Sequence, residues 1–138
     1  MKIDKVFIFD TNALISAHLV VGSVSDQALK KALHLGEIGV SESTLSEFVE
    51  VLYRKKFDKY FKDDQIRLDL TQRIEGYAVT FSITEKITAS KDSDDDMFLE
   101  LAVASNAACI ISGDPHLLAL HPFRGIPILS PADFLRIF

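Results

Sequence analysis

A chain of 138 residues with 48% apolar and 25% charged side chains has the length and composition of one globular domain, and folding at that size buries roughly two-thirds of the unfolded surface without help from disulfides. The net charge of −5 argues against a protein that coats nucleic acid by bulk electrostatics, but it leaves room for a nuclease in which acids bind metal and local basic residues bind phosphate. The single cysteine, Cys109, lies in an apolar run, so a disulfide framework and a thiolate zinc site within the chain are both excluded, and the thiol reads as buried and inert.

No apolar stretch approaches the roughly 20 residues needed to span a bilayer. The start, Met1 to Lys5, lacks a signal-peptide pattern. A soluble cytoplasmic protein is the expectation, organised as one domain over 1–138.

In chain order, Val6 to Phe9 is an unbroken apolar run that fits a strand buried on both faces of a parallel sheet. Asn12 to Ala17 predicts a short helical turn. Ser23 or Ser25 then caps a helix with Ala28, Leu29, Ala32 and Leu33 at helical spacing, ended by Gly36. Ile38 to Val40 predicts a second strand, and Ser41 to Thr44 opens a helix whose stripe is Leu45, Phe48, Val49, Leu52 and Tyr53. A further helix over Asp63 to Gly76 puts Ile66, Leu70 and Ile74 on one side, before a third strand at Ala78 to Phe81. Ser93 to Asp96 starts an apolar helix that ends at or just before Ala108, Cys109 to Ile111 forms a fourth strand, and Ile126 to Leu129 reads as an edge strand because Pro127 cannot serve a central ladder. Ser130-Pro131 starts a last helix, with proline at its favoured first position. This alternation predicts an α/β protein, a parallel sheet of four to five strands covered by helices on both faces in three α/β/α layers.

Four acids stand out on that frame. Asp10 and Asp114 each leave the carboxyl end of a strand, where open parallel sheets collect their chemistry. Glu47 lies about one turn into the helix after the second strand, and Asp96 lies in the first turn of the helix that feeds the fourth. Two carboxylates ~4 Å apart repel by ~4 kcal/mol at an effective dielectric of 20, and a hard divalent cation removes that cost. Oxygen-only ligation suits Mg²⁺ or Mn²⁺, and the chemistry such an ion supports at a phosphodiester is hydrolysis by an activated water.

The motifs carried by these acids resemble those of PIN-domain ribonucleases. Phe9-Asp10-Thr11-Asn12 resembles the opening motif, Ser43 to Glu47 the second, Asp96 to Ala102 the third and Ser112-Gly113-Asp114 the fourth, in an order that spans nearly the whole chain. The resemblance is nearest to the toxins of PIN-type toxin–antitoxin pairs, the group that includes VapC-like proteins. It implies a PIN-like α/β/α fold, Mg²⁺- or Mn²⁺-dependent endoribonuclease activity on RNA, a homodimer, and neutralisation by a small antitoxin. Asp10, Glu47, Asp96 and Asp114 are then the catalytic metal shell, with no covalent side-chain nucleophile. Two positions depart from the family pattern. His116 stands where many relatives carry another acid, and Ala89-Ser90-Lys91-Asp92 lacks the Cys-Arg common in this subgroup.

Each assignment has a structural competitor. Asp10-Thr11-Asn12 suits a turn and helix cap, Thr44 to Glu47 fits a capping box in which Glu47 reaches back to the backbone, and Asp92, Asp94, Asp95 and Asp96 fit an acidic helix start complementing the macrodipole. Asp114 before Pro115 suits a turn. Glu100, one turn beyond Asp96, shares its face. Thr11, Asn12 and Ser112 are candidates to hold the acids in place. Arg54 to Lys62 interleaves basic and aromatic residues, with cations for RNA phosphates and Phe57 or Tyr60 for base stacking; the same pattern suits a solvated helix end. His18, His34 and His121 show no metal-ligand spacing. Two other classes compete: a haloacid-dehalogenase-like phosphatase, disfavoured because Asn12 stands where its second aspartate is needed, and a catalytically silent PIN-fold binding module.

Overall fold

Strand β1 (Val6–Phe9) is the centre of the molecule: Phe7 and Ile8 are fully buried, as an apolar strand between two helical layers must be. The computed structural model describes residues 5–138; Met1 to Asp4, most of the stretch read above for a signal pattern, lies outside them. Around β1 stand β2 (Glu37–Val40), β3 (Ala78–Thr80), β4 (Cys109–Ile111) and β5 (Ile128–Leu129) in the order β3-β2-β1-β4-β5. Each neighbouring pair is parallel. Pro127 falls outside the edge strand β5, and its carbonyl still accepts from Ile110 N at 2.9 Å.

The side-chain period of two divides the sheet between two cores. Phe7, Phe9, Ile38, Cys109, Ile111 and Leu129 join one cluster, which also receives α1 (Thr11–Leu19), α2 (Val24–Leu35), α3 (Glu42–Leu52), α4 (Asp64–Tyr77) and α7 (Pro131–Ile137). Ile8, Ile110 and Ile128 point the other way, against Phe98, Leu99, Leu101 and Ala102 of α5 (Asp96–Ser105) and Leu117 of the short α6 (Pro115–Leu118). The result is the expected three-layer α/β/α sandwich. Each fully buried large aliphatic or aromatic side chain contributes about 1.5–3 kcal/mol, so the two clusters hold the sheet from both faces. Burial also pushes the Cys109 thiol up to about 12, in keeping with an inert core residue.

Helix boundaries follow local chemistry. Ser23, rather than Ser25, caps α2 by accepting from Asp26 N at 3.1 Å. Gly36 ends it where a β-carbon would stand 2.1 Å from Lys5 O; the backbones of the β1 approach and the α2 exit lie too close for a side chain. Asn106 closes α5 in the left-handed region, a conformation asparagine tolerates.

Three apolar expectations change. Ile66 is 40% exposed, and Leu33 and Tyr53 are also outside the core. The buried position on α4 next to Ile66 is Arg67, whose Nε donates to Leu52 O at 2.8 Å and whose guanidinium pairs with Asp58 at 2.8 Å and stacks over Phe61 and Tyr53. A buried guanidinium is tolerated because its donors and its planar face are matched at once.

Candidate functional site

The chain leaves β1 for β2 and β3 on one side, then returns to β4 on the other. That reversal opens a crevice at the carboxyl ends of β1 and β4, and both strands deliver an acid to it. Asp10 follows β1, its own N–H donating to Ile111 O of β4 at 3.1 Å. The carboxylate serves two structures: Oδ1 caps α1 by accepting from Ala13 N at 2.8 Å, and Oδ2 accepts from Ser112 Oγ. The cap reading and the site reading of Asp10 therefore describe one residue. Ser112, fully buried, also accepts from Asp114 N at 2.9 Å, so one hydroxyl ties the first strand-end acid to the backbone of the second. Asp114 Oδ1 caps α6, accepting from His116 N at 2.8 Å.

Glu47 is not used by a capping box. Ser41 caps α3 and Thr44 completes the box with its own hydroxyl, which leaves Glu47 to accept from Thr11 Oγ1 at 2.5 Å. Thr11 is the residue after Asp10, so β1 orients the α3 acid as well as its own.

Asp96 is the sequence-derived site residue that the fold places elsewhere. Its Oδ1 accepts from Ala89 N at 3.1 Å and Ser90 N at 2.8 Å, and Glu100, one turn along the same face, accepts from Ile87 N at 2.9 Å. Together these two acids clamp the segment 87–90 onto α5. The cleft of about 170 Å³ is lined instead by Asp10, Glu47, Asp92, Asp94, Asp95 and Asp114, with Thr11, Asn12, Val51, Phe98 and the cation Arg54. Asp95 takes the place expected of Asp96. Within a run of acids at a helix start, one residue of shift turns a side chain about 100° around the axis, and the run itself carries no signal for which acid faces inward.

The electrostatics of the cleft are those of crowded acids. Asp95 is 8% exposed, and its Oδ2 is buried without a hydrogen-bond partner. Burial, then the close approach and like charge of Asp114, with Asp92 and Asp10 beyond, pushes its carboxyl up to about 7. Asp10 is raised as well, chiefly by burial, with Asp114 and Glu47 adding to the shift and the hydrogen bonds from Ser112 and Ala13 opposing it. One donor atom each from Asp92, Asp95, Asp114 and His116 lies within 4.8 Å of the others. An orphaned buried carboxylate oxygen within a convergent oxygen-rich set fits a hard divalent cation.

A family model described as a PIN domain matches residues 6–116. The chain belongs to the PIN-domain family. No curated protein matches this PIN domain in sequence. Among solved structures it is similar to a chain in the crystal structure of VapBC2 from Rickettsia felis bound to a DNA fragment from their promoter, with a TM-score of 0.61 and 13% identity over 89% of this chain and 96% of that one. At that identity the likeness concerns the fold.

The basic segment of this PIN domain divides. Arg54 reaches the cleft rim, paired with Glu50 at 3.4 Å. Phe57 packs against the core and Phe61 is buried, while Tyr60 is 45% exposed with Lys59 over its ring. Two other histidines serve structure: His121 Nδ1 accepts from Ile128 N at 2.9 Å, and His18 pairs with Tyr77 at 3.1 Å. No described helix is long and apolar enough to cross a membrane.

Proposed function

We propose that this PIN domain is a divalent-metal-dependent endoribonuclease and the toxin component of a toxin–antitoxin pair. The observation that carries the reading is the buried, unpartnered Asp95 Oδ2 amid Asp10, Glu47, Asp92 and Asp114 at the sheet's switch point. Membership of the PIN family and the likeness to a VapBC2 chain support it.

Asp10, Glu47, Asp95 and Asp114 are the residues that would hold Mg²⁺ or Mn²⁺, with Asp96 supporting them from behind. When bound, such an ion supplies Lewis acidity that activates water and offsets the charge developing on a phosphodiester. The chain's own contribution is positional. Ser112 and Thr11 fix the carboxylates of Asp10 and Glu47, as hydrogen-bonded supports of acidic ligands do. Arg54, the cation at the rim of an otherwise acidic cleft, holds an RNA phosphate by charge-assisted hydrogen bonds. The adjoining cleft of about 430 Å³, which shares Asp10, Asn12 and Asp114 and adds Ser16 and Ser25, gives a flanking nucleotide room and polar partners. The same reading extends to one domain acting in the cytoplasm as a homodimer and silenced by a small antitoxin.

The test is cleavage of a mixed set of labelled RNAs by purified protein with Mn²⁺ or Mg²⁺, beside EDTA and Asp10→Asn controls. Asparagine caps a helix as well as aspartate, so this variant keeps α1 while removing a charge. Cleavage that vanishes in both controls is the expected result. Metal binding without cleavage of any RNA would move the protein to the silent binding module, and absence of metal binding would overturn the site itself.

A further inference from the structure

His116, two residues beyond Asp114, lies inside the acid cluster. Asp92, Asp95, Asp114 and His116 each offer one donor atom within 4.8 Å of the others, while Asp10 and Glu47 line the same cleft outside that group. Donors about 2.1 Å from a shared ion stand up to about 4.2 Å apart across it, so the four need only a small adjustment to ligate one cation. A second observation also points to a ligand here: Asp95 is more than nine-tenths buried, and its Oδ2 has no partner.

The imidazole is placed as a ligand rather than as a hydrogen-bonding support. His116 Nδ1 is 3.9 Å from Asp114 Oδ1, beyond hydrogen-bond range. The pair is nevertheless held in register, because His116 N donates to that same Oδ1 at 2.8 Å and Pro115 starts α6 between them. The His116 side chain is about half exposed, so its ring is not held by core packing.

We propose that His116, with Asp92 beside it, supplies a nitrogen donor to the ion that Asp95 and Asp114 hold together with Asp10 and Glu47, making a mixed nitrogen–oxygen site that selects Mn²⁺ over Mg²⁺. The proposal rests on the metal-dependent reading above and deepens it. Mg²⁺ takes oxygen donors and dehydrates reluctantly, whereas Mn²⁺, a first-row transition ion that oxygen also suits, accepts a nitrogen donor at smaller cost. A ring in place of a further carboxylate leaves the site one unit less negative and so weakens its hold on Mg²⁺ in particular.

The experiment uses the full chain titrated with Mn²⁺ and read by pulsed electron paramagnetic resonance for ¹⁴N coupling, with calorimetric affinities for Mn²⁺ and Mg²⁺ measured in parallel. His116→Asp and His116→Ala are the variants, and far-UV circular dichroism checks their folding. The expected result is imidazole ¹⁴N coupling in the wild type, its loss in both variants, and an Mn²⁺-to-Mg²⁺ affinity ratio that falls about tenfold in His116→Asp. Bound Mn²⁺ without ¹⁴N coupling, or coupling that persists in the variants, would overturn the role of His116 and leave the acidic metal site standing. No Mn²⁺ binding in the wild type would overturn both.

Discussion

Ser112 donates its hydroxyl to Asp10 Oδ2 and accepts from Asp114 N, so one fully buried side chain at the end of β4 holds the acid at the end of β1. Its hydrogen bond opposes the burial that raises the Asp10 carboxyl. Ser112→Ala should raise that carboxyl further, lower stability by roughly 1–3 kcal/mol through the groups left unsatisfied, and weaken metal affinity about 10–100-fold. Denaturant melts and Mn²⁺ titration check the two effects separately.

Adjacent aspartates should give opposite phenotypes. Asp95→Asn removes a crowded charge from the cleft and should reduce RNA cleavage more than about 100-fold, with a melting temperature equal to or above wild type because repulsion is relieved. Asp96→Ala removes the acceptor of Ala89 N and Ser90 N and should cost roughly 1–3 kcal/mol while retaining the cleft acids. Parallel thermal melts and cleavage assays decide it; a destabilised Asp95→Asn with an inactive but stable Asp96→Ala would reverse the assignment.

The raised carboxyl of Asp95 makes the metal-free protein pH-sensitive in a defined direction. Below about pH 4 both folded and unfolded chains hold the proton, and the stability associated with the neutral form is fully present. Between there and about 7 the unfolded chain has released a proton that Asp95 retains when folded, so stability falls as pH rises through that window. In EDTA the melting temperature should therefore be higher at pH 5 than at pH 7.5, by about 4 °C for each kcal/mol in a domain of this size. Asp95→Asn should flatten the slope, and saturating Mn²⁺ should do the same by stabilising the ionised form.

Arg54 is half exposed and only loosely paired with Glu50, which leaves it available to a phosphate. Arg54→Ala should raise KM for RNA with little change in kcat. The slope of log affinity against log salt should fall by about 0.7, the value of one phosphate contact on a single strand. Binding of a non-cleavable oligonucleotide at three salt concentrations gives the slope, and an unchanged slope would remove Arg54 from the RNA interface.

The sequence by itself determined the strands and the acids that follow them, because both signals are local. An apolar run such as Val6–Phe9 has few structural options, and the residue that leaves its carboxyl end, Asp10, needs no knowledge of the remaining chain; the same holds for Ile111 and Asp114. Strand–helix alternation likewise gives the layers of the sandwich. Tertiary structure alone decided helix phase. Asp95 rather than Asp96 faces the cleft because the packing of Phe98, Leu99 and Leu101 sets the rotation of α5, and Arg67 displaces Ile66 from the interior because Leu52 O, Asp58 and the ring of Phe61 meet it there. Those partners lie far along the chain or on another element, and a one-residue rotation leaves the local pattern almost unchanged while exchanging the side chain that faces the cleft.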